Sequence, residues 1–205
     1  MSVYSDDAMV IKLHKLIDDF GLIERQHIMG DGRKETNTQH SFALALVAYE
    51  FAKQNAPELD ANMVLRYALV HDLSELVTGD VSSLHLSNEE HEQKRIRDLQ
   101  AAEILAKRMD YAPHIAADVK GYESTSDEES KFVYWFDKCM QIPGHFLDDG
   151  NNLHNLGMKT QSQIKQWRVR TLKKLRTNAP SPHPSVEKLF EDLFNKMHDE
   201  LLQAE

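Results

Sequence analysis

The stretch DANMVLRYALVHDLSELVTGD, from Asp60 to Asp80, decides the fold class. Asp60 is placed to cap a helix, because its short carboxylate can accept from the unpaired N–H groups of a first turn. Met63, Val64, Tyr67, Ala68, Leu69 and Val70 then recur with the helical period. Val64, Ala68 and Asp72 share one stripe of that helix, and Tyr67 and His71 share the adjoining one. Two ionisable residues therefore close a mostly apolar helix, and Thr78-Gly79-Asp80 reads as a turn after it.

Working outward, almost every periodic segment has the same helical character. Met9, Leu13, Leu16, Ile17 and Phe20 predict a helix from about Asp6 to Phe20, with Gly21 as its stop. Residues 22–37 are polar, carry Gly30 and Gly32, and read as a loop holding Arg25 and Arg33. A second helix is expected from about Thr38 to Lys53, with Leu44, Val47 and Phe51 on the face of His40 and Pro57 beyond its end. Ser87 with Glu90 forms a capping-box pattern ahead of a charged helix to about Arg108, and a short piece follows Pro113. Ser126 with Glu129 repeats that pattern ahead of Phe132, Val133, Tyr134, Trp135, Phe136, Asp137, Cys139 and Met140. Further helices are expected from about Ser162 to Arg176 and, after Pro180–Pro184, through Leu189, Phe190, Leu193, Phe194 and Met197. No segment has a sustained strand-like alternation. The expectation is an all-α bundle of six to eight helices in one domain, 1–205. A motif-bearing core of about 8–140 would carry the C-terminal helices, 159–203, packed on it.

Composition narrows the function classes. Gly (8) and Pro (6) are scarce in 205 residues, which favours long regular elements over turn-rich β architecture. A formal net charge of −9 repels phosphate backbones and argues against a nucleic-acid polymer as partner. The single cysteine, Cys139, cannot form an internal disulfide, which points to a reducing compartment. The N-terminus lacks a basic head and apolar stretch, and no run approaches the ~18 apolar residues of a membrane helix. A cytoplasmic protein with no membrane partner is the expectation.

A lone His-Asp pair means little, since a surface or capping role explains most of them. Here three predicted helices each place such a residue on an apolar face: His40, then His71-Asp72, then Asp137 between Trp135-Phe136 and Cys139-Met140. A charge drawn into an apolar face must be paired or metal-bound. Each residue alone is explained as a satisfied core polar group; a shared site explains all three at once. Two imidazoles and two carboxylates suit Mn²⁺, Fe²⁺, Co²⁺ or Zn²⁺ better than Ca²⁺, whose sites are all oxygen.

The ordered set His40, His71-Asp72, Asp137 resembles the H…HD…D signature of the HD metal-dependent phosphohydrolases. Arg25, Arg33-Lys34-Glu35, His40-Ser41 and above all HDLSELVTGD (71–80) are similar to the bacterial HD-domain 5′-deoxynucleotidases, over roughly residues 8–140. The resemblance implies one divalent ion (Mn²⁺, Co²⁺, Fe²⁺, Zn²⁺ or Mg²⁺) held by His40, His71, Asp72 and Asp137. It implies catalytic roles for Glu75, which would orient or protonate at the phosphate, for Arg25, which would hold it, and for Asp72. It further implies substrate contacts from Arg25, Gln26, Arg33, His40, Asp72 and Asp137, and sugar contacts from Asp80 with Val81, Ser82 and Ser83. The implied reaction cleaves a phosphomonoester of a small nucleotide, a (deoxy)nucleoside 5′-monophosphate, in a homodimer for which the apolar terminal helix is a candidate surface. A nucleoside triphosphate hydrolase, a non-nucleotide phosphatase and a non-catalytic metal-bound nucleotide sensor stay open beside it, as does a helical interaction protein with a structural metal.

Two positions depart from the family pattern. Gln26 stands where a tryptophan packs near the sugar, and Gln39 where Glu commonly precedes the first histidine. Gln26 could accept a ribose hydroxyl, which puts a deoxyribose preference in doubt. His183 and His198 read as solvated, and Cys139 as a core thiol. His85, His91 and His145 share no ligand spacing.

Overall fold

The computed structural model describes residues 4–29, 31–79 and 88–201. In chain order these form α1 (Asp6–Gly21), β1 (Glu24–Ile28), β2 (Lys34–Thr36), α2 (Asn37–Asn55), α3 (Ala61–Val70), α4 (Glu75–Thr78), α5 (Asn88–Arg108), α6 (Pro113–Ser124), α7 (Glu128–Met140), α8 (Pro143–Leu147), α9 (Asn151–Asn155), α10 (Gln161–Asn178) and α11 (Pro184–Glu200). The protein is mostly helical, as the periodicity implies. The Ser87 cap, Asp80, Val81, Ser82, Ser83 and His85 lie outside the described residues.

Local chemistry accounts for the element ends. Asp60 caps α3, its Oδ1 accepting from the backbone N–H of Asn62 at 2.9 Å and of Met63 at 3.4 Å. Thr36 and Gln39 form a reciprocal capping box on α2: Thr36 Oγ1 accepts from the Gln39 N–H, and Gln39 Oε1 accepts from the Thr36 N–H. Gln39, a departure from the family pattern, is thus a competent N3 residue. The cap of α7 is Asp127 and not Ser126; its Oδ1 accepts from the Ser130 N–H at 2.7 Å while Oδ2 accepts from the Tyr67 hydroxyl at 2.8 Å.

Three further expectations need correction. The segment 22–37 is not all loop: β1 and β2 pair antiparallel, Glu24 opposite Thr36 and Ile28 opposite Lys34, with a bulge between. Its strands are short and polar, so no apolar alternation marks them. Val47 does not share the buried face of α2 and is 47% exposed. That face is Asn37, His40, Ser41, Leu44, Ala45, Ala48 and Ala52. At ~100° per residue His40 lies at its margin and Val47 a step further round. His183 is not solvated either: its Nδ1 accepts from the Ser185 N–H at 3.2 Å, and Nε2 meets Glu58 Oε1 at 2.6 Å.

Two apolar clusters hold the helices. The larger joins α2, α3 and α7 to α10 and α11 through Leu44, Val64, Phe132, Trp135, Phe190 and Phe194. Trp135 Nε1–H donates to the Ala179 carbonyl at 2.9 Å, tying α7 to the end of α10. Phe190, Phe194 and Met197 of α11 are fully buried in this cluster, so this part of its apolar face, a candidate dimer surface from the sequence, is taken up by the chain's own core. The smaller cluster, with Phe20, Val70, Leu73, Leu105, Met109 and Val119, lies where α1, α5 and α6 meet the end of α3. The two clusters pin α3 on both flanks, which fixes where His71 and Asp72 emerge.

Candidate functional site

Beyond Val70 the chain tightens into turns, with the Leu73 N–H donating to the Val70 carbonyl and the Glu75 N–H to the Asp72 carbonyl. These turns bring the His71 and Asp72 side chains, which diverge by ~100° on a helix, to a common point. Ligand atoms of His40, His71 and Asp72 lie within 4.8 Å of one another. Asp137 borders this group, its Oδ1 being 2.9 Å from His40 Nε2 and 3.9 Å from His71 Nε2. Three helices, α2, α3 and α7, thus bring together the four residues singled out from the sequence.

The donor set fits a cation. His71 Nδ1–H donates to the Ala68 carbonyl at 2.9 Å, so the neutral ring presents a lone pair at Nε2. That Nε2 is buried without a hydrogen-bond partner, although Asp72 Oδ2 stands 2.8 Å away, because the contact lacks hydrogen-bond geometry. A lone pair facing a carboxylate oxygen is repulsive until positive charge joins them. His40 has a carboxylate at each nitrogen, Asp137 at Nε2 and Glu35 at 3.3 Å from Nδ1. Burial would lower its pKa, but the bonds to Asp137 and Glu35 raise it to about 9. Burial would likewise raise Asp72 and Asp137. The adjoining His71 ring and the Arg25 guanidinium hold Asp72 well below the usual carboxylate range, and Lys138 and His40 do the same for Asp137.

Arg25 enters from the hairpin. Its Nη1 donates to Asp72 Oδ2 at 2.5 Å and to Asn37 Oδ1 at 3.1 Å, and its Nε lies 3.5 Å from Glu35 Oε2. Asn37 Nδ2 in turn donates to Glu75 Oε2 at 2.6 Å, and Glu75 is 7% exposed at the start of α4. Glu75, Asn37, Arg25 and Asp72 therefore form one bonded chain. Arg33 is not brought to it; this exposed side chain pairs with Asp31 at 2.7 Å in the hairpin turn. Gln26, next to Arg25 on β1, is exposed, as strand alternation requires of its neighbour.

A cleft of roughly 670 Å³ opens beside His71, Asp72, Glu75 and Asp137. Its other lining residues went unread in the sequence. Lys94 and Arg95 come from α5, Glu123 from the end of α6, Lys138 from α7 and Lys174 from α10. Lys138 pairs with Asp137, and Lys94 with Asp98 at 2.8 Å. Burial pushes the Glu123 carboxyl up to about 7, although Ser74 Oγ–H donates to it at 2.8 Å. Glu35 and Asn37 had a faint signal, lying just ahead of His40 in the motif-bearing stretch. The α5 and α10 residues had none, since nothing separates Lys174 from the exposed Lys173 beside it.

Comparison with known proteins identifies the family. The HD domain family matches residues 19–177, and the chain belongs to that family. A 5′-deoxynucleotidase of Yersinia pestis (strain Pestoides F) is 29% identical over 147 residues, 64% of this chain and 71% of that protein. The 5′-deoxynucleotidase HDDC2 of Mus musculus is 28% identical over 112 residues; the match spans about half of each chain, 54% of both. A solved structure of a "Predicted metal-dependent phosphohydrolase" from Magnetospirillum magnetotacticum MS-1 superposes with a TM-score of 0.66 over 95% of this chain and 98% of its own. At 21% identity that likeness shows the fold. No helix among the described residues is long and apolar enough to cross a membrane.

Proposed function

We propose that the protein is a metal-dependent phosphohydrolase that cleaves the phosphomonoester of a small nucleotide, a (deoxy)nucleoside 5′-monophosphate. The observation that carries this reading is the convergence of His40, His71 and Asp72, with Asp137 beside them, on a cleft also lined by Glu75 and by cations. The named activity of the Yersinia and mouse relatives supports the nucleotide as substrate.

His40, His71, Asp72 and Asp137 would hold one divalent ion. When bound, such an ion supplies Lewis acidity, lowering the pKa of water and drawing charge from a phosphoryl oxygen. Glu35 fixes the His40 ring through Nδ1, and the Ala68 carbonyl fixes His71, so both imidazoles are oriented before substrate arrives. Arg25 holds Asp72 in place and adds positive charge beside it, which favours an approaching phosphate. Glu75, steadied by Asn37, takes the proton from the attacking water and returns one to the leaving oxygen. This role for Glu75 favours turnover over a sensor, which needs no proton-handling carboxylate.

A phosphate-release screen of nucleoside mono- and triphosphates with Mn²⁺, Co²⁺, Mg²⁺ and Zn²⁺ tests the reading. Release from 5′-monophosphates with at least one ion is the expected result. Pyrophosphate or triphosphate release from triphosphates alone would overturn the monoesterase assignment.

A further inference from the structure

Not every cation around the cleft is held in an ion pair, although Glu75 and Glu123 line it beside the paired acids. Asp72 is matched by Arg25, Asp137 by Lys138 and Asp98 by Lys94. Arg95 and Lys174, which line the same cleft, form no ion pair among the described residues. Arg95 is held by one neutral contact, Nη2 donating to Thr125 Oγ1 at 3.4 Å. Thr125 Oγ1 donates to the Asn178 carbonyl at 3.0 Å, which locks the end of α6 against the last residue of α10. The two cations thus stand on a braced junction of three helices. Arg25 is not part of this wall.

We propose that Arg95 and Lys174 bind the phosphate of the substrate, and that this pair selects dianionic phosphomonoesters over monoanionic phosphodiesters. The inference rests on the phosphohydrolase reading and names the anion-binding part of that site, from helices outside the motif-bearing stretch. A phosphomonoester carries close to two negative charges near neutral pH, and two cations meet it there without an ion-pair partner of their own. The position suits a reacting group, because Lys174 feels the charges of both Asp137 and Asp98. Crowding supports it too. Burial, with repulsion from Lys138 and Lys94, pushes the Lys174 ammonium down to about 7. An anion bound there relieves both costs. Guanidinium and ammonium donors to phosphate make charge-assisted bonds, roughly twice as strong as neutral ones.

Inorganic phosphate is the probe, titrated calorimetrically into the metal-loaded full chain. Lys174→Gln and Arg95→Gln should each raise its Kd about tenfold, and the double variant about a hundredfold, or ~1.4 kcal/mol per step. Lys174→Arg keeps the charge and should stay within about threefold, and Lys173→Gln, on the exposed neighbour, should match wild type. Dimethyl phosphate, a monoanion, should compete at least about tenfold more weakly than phosphate in the wild type, and this preference should vanish in the double variant. Phosphate affinity unchanged in the double variant, equal damage from Lys174→Arg and Lys174→Gln, or equal competition by dimethyl phosphate would each overturn the proposal. A wild type that binds phosphate through these residues yet hydrolyses no ester would break the functional reading alone. Turnover with phosphate affinity indifferent to Arg95 and Lys174 would break this one alone.

Discussion

On the wall of the cleft built by α2, α3 and α7, each carboxylate of the cluster has a cationic or imidazole neighbour, whereas on the wall built by α5 and α10 Arg95 and Lys174 form no ion pair among the described residues. The first, more nearly balanced wall is paired within the chain except at the His71–Asp72 contact, so its groups are oriented before any ligand arrives. Removing one partner from such a buried set leaves an uncompensated charge, which costs several kcal/mol. The second wall holds two cations that an anionic ligand could pair. On the proposals above, orientation and recognition fall to different helices, and each can be broken separately.

The largest effect should come from the balanced wall. His71→Ala or Asp72→Ala should take the bound divalent ion from one per chain to none by elemental analysis. Turnover should fall to background while the far-ultraviolet dichroism stays helical. Metal content unchanged in both variants would remove the basis for treating the two walls differently. Glu75→Gln comes next: it should keep the ion and lower kcat by about 10²–10⁴-fold, the usual contribution of a positioned proton carrier. A near-normal kcat would leave Glu75 a structural partner of Asn37 and return weight to a sensor.

The same contrast explains what could be read from the sequence. α3 was legible because its evidence is local: Asp60 two and three residues ahead of the N–H groups it caps, then apolar residues at helical period. The four metal-type residues were legible because ionisable side chains on apolar stripes need a reason. The hairpin was not, because β1 (ERQHI) alternates between Arg25 turned to Asp72 and Gln26 turned to solvent, with no apolar face to betray it. Lys174 was not, because its place depends on α10 folding back over α7 through the Trp135–Ala179 bond, a contact 44 residues apart. Val47 misled for a subtler reason: period gives spacing, but the centre of a buried stripe is set by what packs on it.

A smaller effect sharpens the comparison within the balanced wall. Glu35 reaches no cleft atom but faces His40 Nδ1 at 3.3 Å and Arg25 Nε at 3.5 Å. Glu35→Gln keeps the shape and removes the charge. Metal affinity should fall about 10–100-fold, as for other carboxylates that orient a ligating histidine. At saturating metal kcat should return to near wild type, which a directly catalytic Glu35 would not allow.

The smallest effect is expected at Gln26, against the sequence expectation that it relaxes deoxyribose selectivity. A tryptophan could form a sugar wall only from the face of β1 that carries Arg25, the side chain that reaches Asp72. Successive strand residues point to opposite faces, and Gln26 is exposed on the other one. A new indole there would meet water. An unpaired buried hydroxyl costs roughly 1–3 kcal/mol, a ten- to hundredfold preference, but only where the wall exists to bury it. Gln26→Trp should therefore leave the ratio of kcat/KM for a deoxynucleoside over a ribonucleoside 5′-monophosphate within about threefold of wild type. A rise of tenfold or more would mean that β1 turns over when substrate binds, and that the hairpin, not only the two helical walls, takes part in recognition.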